Sequence, residues 1–211
     1  MNYSSEKEKI IKIYNEKLKK NSANDLLSTG NQLRRNIRFK VLSEIGNFEN
    51  KKVLDLGCGT GDFYQYLLDN SIECDYTGYD INEKIVNIAK ERFPKVKFEV
   101  KDILENSFPQ YDYIVSTSSF NNKLESISNY TFIESILSKC YEHANEGVAI
   151  DFLNSYADYH HDYAHYYEPE KIFSISKTIT RRVTLRNDYP LFEFAVYLYN
   201  DIEFPYGKKY E

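Results

Sequence analysis

The sequence predicts an α/β fold: a mostly parallel seven-stranded sheet with helices on both faces, a C-terminal antiparallel hairpin and an N-terminal helical cap. Three observations carry this. Short apolar runs alternate with helical-period segments over residues 51–152, the pattern of parallel strands joined by right-handed crossovers. Two β-rich runs near the end flank Arg186-Asn187-Asp188-Tyr189-Pro190, a hairpin signature. The first 46 residues have helical spacing and no strand pattern.

The elements follow in order. Residues 5–20 place Ile10, Ile11, Tyr14 and Leu18 on one helix face. The polar stretch 21–30 reads as a linker. A second helix is expected from Asn31 to Ile45, closed by Gly46 as a C-cap. Lys52 to Leu56 is a short apolar run stopped by glycines and suits a buried first strand. A helix over Thr60–Asn70 turns Phe63, Tyr66 and Leu67 inward, and Asp75–Tyr79 is a second strand ending at Asp80. Asn82 caps a helix that runs to Arg92 before Pro94. Strands three to five are Val96–Val100, Tyr111–Ser116 and Gly147–Phe152, with a helix over Tyr130–His143 before the last. Only a loop or one turn fits between Lys101 and Gln110, too short for an ordinary crossover helix. Thr178–Leu185 and Phe192–Tyr199 form the hairpin.

Composition bounds the function. A chain of 211 residues fits one domain, at ~100–200 residues per domain. With 42% apolar and 28% charged residues it is neither disordered nor fibrous. The net charge of −5 and the lack of a basic stripe argue against a nucleic-acid partner. No apolar run reaches the ~18 residues of a membrane span, and no hydrophobic stretch follows the charged N-terminus as in a signal peptide. Cys58, Cys74 and Cys140 have no metal-ligand spacing, and an odd count suits a reducing cytoplasm.

The sharpest motif is Val53-Leu54-Asp55-Leu56-Gly57-Cys58-Gly59-Thr60-Gly61. Glycines at a strand-to-helix turn let a ligand approach the backbone. The spacing is Gly-x-Gly-x-Gly, whereas a dinucleotide fingerprint is Gly-x-Gly-x-x-Gly, and Asp62 takes the third dinucleotide position. A carboxylate at that helix start disfavours a pyrophosphate. Asp80 after the second strand and Asp102 after the third complete a row of acids at carboxyl ends of strands, where open α/β sheets bind ligands.

These residues resemble the class I S-adenosylmethionine-dependent methyltransferases, in particular small bacterial members of unassigned substrate and Rossmann-like fold. The resemblance covers about Lys51 to Phe152, and the end segments Thr180-Arg181-Arg182-Val183 and Phe192-Glu193-Phe194 look similar too. It implies S-adenosyl-L-methionine as cofactor. Gly57, Cys58 and Gly59 would contact its methionine part and Asp55 its ammonium group. Asp80 would take the ribose hydroxyls, Asp102 the adenine amino group, with Ile81 and Ile103 against the ring. Ser116 and Thr117 would face the methyl group.

Absences narrow the acceptor. Amide and adenine methylases of this fold carry Asn/Asp-Pro-Pro-aromatic after the fourth strand, and this chain has Ser116-Thr117-Ser118-Ser119-Phe120-Asn121. A Pro-Cys nucleophile is also missing. A small-molecule or sugar acceptor is left, methylated on O or N, with no nucleic acid and no membrane as partner. Residues 154–168 hold three of the four histidines among several tyrosines. This segment reads as a lid over the ligand end. One of His160, His161 or His165 is a candidate general base, with Tyr156 and Tyr159 beside the acceptor. The alternative is a polar lid with no proton-transfer role. His161 and His165 stand one helical turn apart, yet no metal is expected. Tyr14, Arg38 and Asn121 are further substrate candidates, and Arg38 could pair with a carboxylate or lie as ordinary surface.

The expected organisation is one methyltransferase domain over 1–211. It comprises a helical cap (1–46), a cofactor-binding core (51–152), a substrate lid (153–177) and the hairpin (178–200), in a cytoplasmic monomer or homodimer. Other readings are a cofactor-binding sensor or inactive partner subunit, and an aminopropyltransferase. The latter needs acids near strand four, where Ser and Thr stand.

Overall fold

The computed structural model of the chain describes residues 3–20 and 32–200. The expected linker 21–30 and the start of the second helix at Asn31 lie outside them. The elements are α1 (Tyr3–Lys20), α2 (Gln32–Ser43), β1 (Lys52–Leu56), α3 (Asp62–Asp69), β2 (Asp75–Asp80), α4 (Glu83–Arg92), β3 (Lys97–Val100), β4 (Tyr111–Ser116), α5 (Asn129–Glu142), β5 (Ala144–Leu153), α6 (Pro169–Ile179), β6 (Arg182–Arg186) and β7 (Glu193–Tyr199).

One seven-stranded sheet runs in the order β3-β2-β1-β4-β5-β7-β6. The first five strands are parallel, and β7 lies antiparallel to both β5 and β6. Strand order reverses between β1 and β4, and at such a switch point the flanking connections diverge and leave a crevice. The two halves of the site stand on either side of that crevice.

The apolar runs are buried on both faces, as strands covered by helices on each side must be. Val53 and Val115 face Leu42 of α2, Phe63 and Leu67 of α3 and Val86 of α4. Leu54 and Ile114 face Ile133 and Leu137 of α5 and Ile172 of α6. Asn82 caps α4 as its sequence position predicts, accepting from the Lys84 and Ile85 amides. Residues 101–110 form turns only, in line with the short link expected there.

Two expectations need correction. α2 ends at Ser43, and Gly46 is not a left-handed cap. A Cβ at Gly46 would stand 2.2 Å from the Tyr113 hydroxyl, so the glycine serves close packing. Residues 169–179 are a helix, so the first hairpin strand starts at Arg182 instead of Thr178. Pro169 sits in the first turn, and Ile172, Ile175, Ser176 and Ile179 recur at helical spacing against α5 and the sheet.

Candidate active site

β1 delivers the chain into a turn that only glycine tolerates well. Gly57, Gly59 and Gly61 have φ of 76°, 56° and 84°. A Cβ at Gly57 would lie 2.0 Å from Ser119 Oγ, so a side chain is excluded by contact as well. The Gly57 and Cys58 amides donate to the Tyr79 carbonyl at 2.7 and 3.0 Å, which ties the turn to β2. The Gly59 amide donates to Asp80 Oδ2 at 3.2 Å, and the Asn82 amide to Asp80 Oδ1 at 2.9 Å. Burial pushes the Asp80 carboxyl up, against backbone N–H bonds that favour its ionised form. Asp62, at the start of α3, is held by Arg35 at 2.9 Å and Arg92 at 2.7 Å. Its charge is thus compensated, and discrimination against a pyrophosphate rests on Asp55 and the glycine spacing.

Asp55 is 2% exposed and borders the cavity. Tyr76 donates to its Oδ2 at 2.6 Å, while Oδ1 has no hydrogen-bond partner among the described residues. Burial pushes its carboxyl up to about 7; Asp80 and Asp62 add to the shift and Tyr76 opposes it. A buried carboxylate oxygen with no donor is costly, and a cationic ligand group relieves that cost.

A cavity of about 1030 Å³ opens from this turn across to α1, α2, the loop after β4 and the segment after β5. Cavities for one drug-sized ligand span ~300–1,000 Å³, so this one has room for a cofactor and a second molecule. On the far wall Arg38 of α2 forks onto Glu193 of β7, with Nη2 to Oε1 at 2.7 Å and Nε to Oε2. Behind it Asp151 of β5, 2% exposed, accepts from the Thr117 hydroxyl at 2.9 Å and from the Ser118 amide. Ser118 adopts φ 54°, so this carboxylate holds the loop after β4 in a left-handed kink.

Of the sequence candidates for the cofactor, Asp55, Gly57, Cys58, Gly59, Asp80 and Ile81 border the cavity, as does Thr117. Three do not. Ser116 is fully buried and its hydroxyl donates to the Leu56 carbonyl at 2.6 Å. Ile103 sits in the core with Tyr79 and Ile114. Asp102 accepts from the Leu104 amide at 3.0 Å and lies 3.2 Å from Lys7 of α1, which covers it. Lys101 borders the cavity in its place.

Tyr14, Arg38, Asn121 and Tyr159 border the acceptor side. Tyr14 is hydrogen-bonded to Asn122 and so joins α1 to the loop after β4. Tyr156 points away, donating to Glu170 at 2.8 Å. Only His161 of the three histidines borders the cavity. His160 stacks on Tyr166 with ring centroids 4.0 Å apart. His165 packs edge-on against Tyr130 and Tyr167, and burial and two nearby lysines lower its basicity. Among the described residues no group of three His, Cys, Asp or Glu side chains could hold a metal ion. Glu193 and Asp151 are the site residues that motif reading missed. Asp151 had a signal: it is a lone acid inside the apolar run Val148-Ala149-Ile150-Asp151-Phe152.

Comparison with known proteins places this arrangement. A family model described as a methyltransferase domain matches residues 53–147. A Mycobacterium tuberculosis protein, named as a methyltransferase without a substrate, is 30% identical over 150 residues, covering 67% of this chain and 89% of that protein. The phosphoethanolamine N-methyltransferase of Plasmodium falciparum is 40% identical over 77 residues, but these are only 29% of its length. A methyltransferase structure from Archaeoglobus fulgidus superposes with TM-score 0.62 at 19% identity, covering 81% of this chain and 95% of the other. The Synechocystis magnesium protoporphyrin IX methyltransferase with bound S-adenosylhomocysteine gives 0.60 at 15%, with 82% and 89% covered. These two likenesses concern the fold. With the Mycobacterium tuberculosis relative and the glycine turn in agreement, the chain belongs to the class I S-adenosylmethionine-dependent methyltransferases.

Proposed function

We propose that the protein methylates an O or N atom of a small-molecule or sugar acceptor held in the far half of the cavity. The cofactor, S-adenosylmethionine, supplies an activated methyl group on a sulfonium. The residues present fit it. Asp55 offers a buried, unpartnered oxygen to the ammonium group. Asp80 stands at the end of β2 for the ribose hydroxyls, and Ile81 borders the same space for the ring. Gly57 and Gly59 bring bare backbone to the cavity floor.

Methyl transfer is an in-line displacement, so the chain's contribution is alignment and exclusion of water. Thr117 and Ser118, clamped by Asp151, set the wall between the two halves. Tyr14 from α1 and Tyr159 and His161 from the segment after β5 narrow the mouth. In this reading the chain works as one domain in the cytoplasm, monomer or homodimer, with no nucleic-acid or membrane partner. No helix among the described residues is long and apolar enough to cross a membrane.

The observation that carries the proposal is the continuity of one cavity from Asp55 to Glu193. The test is transfer of label from methyl-labelled cofactor into a metabolite extract. Label on a small molecule supports the reading. Label found only on added nucleic acid, or cofactor binding without transfer to anything, contradicts it.

A further inference from the structure

We infer that the acceptor half of the cavity is built for a cationic amine, because two buried carboxylates, Glu193 on its wall and Asp151 behind it, share one guanidinium, that of Arg38. This rests on the methyltransferase reading above and names the substrate class of the same site.

The cluster is set by strand register. Asp151 of β5 lies opposite Ala195 of β7, and Leu153 lies opposite Glu193. Asp151 and Glu193 are therefore diagonal neighbours on one face of the sheet. Arg38 comes down onto that face from α2 and spends its fork on Glu193. Asp151 is left with neutral donors, the Thr117 hydroxyl and the Ser118 amide. Tyr189, from the hairpin turn, lies near both acids; burial pushes its hydroxyl up, and the two acids add to the shift. Both carboxylates are buried, Asp151 at 2% and Glu193 at 7% exposure.

Counted fully ionised among the described residues, Glu193, Asp151 and Arg38 carry one net negative charge. Buried charge without a counter-charge is expensive, and the protein relieves it by holding a proton. Burial and the Glu193 charge push the Asp151 carboxyl up to about 7, and Arg38 only partly offsets them. A ligand that brings its own positive charge removes that cost. Where its charged nitrogen is the one methylated, the ammonium first passes a proton to a carboxylate of the cluster. The freed lone pair then takes the methyl from the sulfonium, leaving a charged methylated amine and S-adenosylhomocysteine. The cavity gives it access, since Glu193, Arg38 and Thr117 border the open space. Of the other cations on the cavity wall, Arg35 pairs with Asp62 and Lys101 with Glu99, Lys17 lies over the Tyr14 ring, and Arg34 borders the space from the exposed side of α2.

Aromatic rings complete the fit. Tyr159, Tyr163 and Phe192 border the cavity with 69%, 68% and 56% of their surface exposed. Such rings are not needed for the core, and their faces attract a cation or a C–H-rich ligand. A carboxylate-bearing acceptor would meet Glu193 at the wall with Asp151 buried behind it. A neutral hydroxyl acceptor would leave the extra negative charge unbalanced.

The experiment separates a metabolite extract on a strong cation exchanger at pH 7 into retained and unretained pools. Each pool is incubated with the full chain and methyl-labelled cofactor. Transfer confined to the retained pool is the expected result. Glu193→Gln should raise the half-saturating concentration of that pool roughly 10–100-fold, the loss expected for one hydrogen bond to a charged group. Asp151→Asn, which keeps an acceptor for Thr117, should act in the same direction. S-adenosylhomocysteine affinity and the melting temperature are measured on both variants, so that a misfolded protein is not read as a binding defect. Transfer to the unretained pool overturns the proposal, as does an unchanged half-saturation in two folded variants. Failure of the parent chain to bind S-adenosylhomocysteine overturns the cofactor site instead, and binding without transfer to either pool overturns both the amine and the methyl transfer.

Discussion

Lys7 of α1 lies 3.2 Å from Asp102, the acid that follows β3. The same ammonium pairs with Glu105, and one residue earlier Glu6 accepts from the Ser126 amide at 2.7 Å. Asn15, two turns on, meets Asn82 at 3.2 Å. The first helix is thereby fastened across the carboxyl ends of the sheet, over the acid that the family resemblance gives to the adenine. Asp102 thus reaches the ligand space only if Lys7 releases it.

The Lys7–Asp102 contact predicts a stability cost. Both side chains are mostly buried, at 18% and 7% exposure. Lys7→Met should destabilise the protein by about 1–3 kcal/mol, since it leaves a buried carboxylate without its cation. Urea unfolding of the variant against the parent checks this, and an unchanged midpoint rules out a role for the pair in holding α1.

Asp80 is fixed by two backbone amides, so its oxygens are aimed before any ligand arrives. Asp80→Ala should weaken S-adenosylhomocysteine binding by about 1.5–3 kcal/mol, the scale of hydrogen bonds to a charged group. A folded variant with the parent's dissociation constant moves the ribose elsewhere.

The pH dependence of binding follows from Asp55, whose carboxyl is pushed up to about 7 in the ligand-free chain. Its ionised form receives the ammonium. As pH falls below about 7 the ligand must displace a proton, so affinity should drop by up to ~10-fold per pH unit. In the ligand-free chain the sign is opposite for stability. A raised carboxyl binds its proton in the folded state between its unfolded value and about 7, so this group's contribution declines as pH rises through that window. Asp151 adds to the decline in the same sense. Calorimetric affinities and urea midpoints at pH 5.5 and 8 test both signs, with Asp55→Asn as the variant in which the binding trend disappears.

Histidine substitutions should separate by position. His161→Ala should lower turnover or raise the acceptor's half-saturating concentration, because His161 borders the cavity. His160→Ala and His165→Phe should stay within ~2-fold of the parent, as changes away from the site usually do. Equal loss in all three would mean the segment acts as a unit. For a hydroxyl acceptor a true base at His161 would show as a loss of roughly 10²–10⁴-fold.

Much of the fold was legible because its signals are local. β1 and β4 are apolar runs with sharp ends, and they fall at Lys52–Leu56 and Tyr111–Ser116 as expected. The glycine turn and Asp80 were legible for the same reason. α6 is missing from the sequence reading, which gives 153–177 to a lid; its last two residues read as strand because Thr178 and Ile179 are β-branched, a weak local preference that packing of Ile172 and Ile175 overrides. Ser116 and Thr117 are adjacent in sequence, and strand alternation turns one to the Leu56 carbonyl and the next to the cavity. Arg38 and Glu193 stand 155 residues apart, and Lys7 and Glu105 98 apart. No spacing rule joins residues at such separations; only the closed sheet and the docking of α1 and α2 do.

The most direct measurement is calorimetric titration of the full chain with S-adenosylhomocysteine and, separately, with NAD. The account predicts that the first binds with one site per chain, more weakly to Asp55→Asn and Asp80→Ala, and that NAD does not bind. NAD binding without S-adenosylhomocysteine binding, or S-adenosylhomocysteine binding that neither substitution alters, contradicts it.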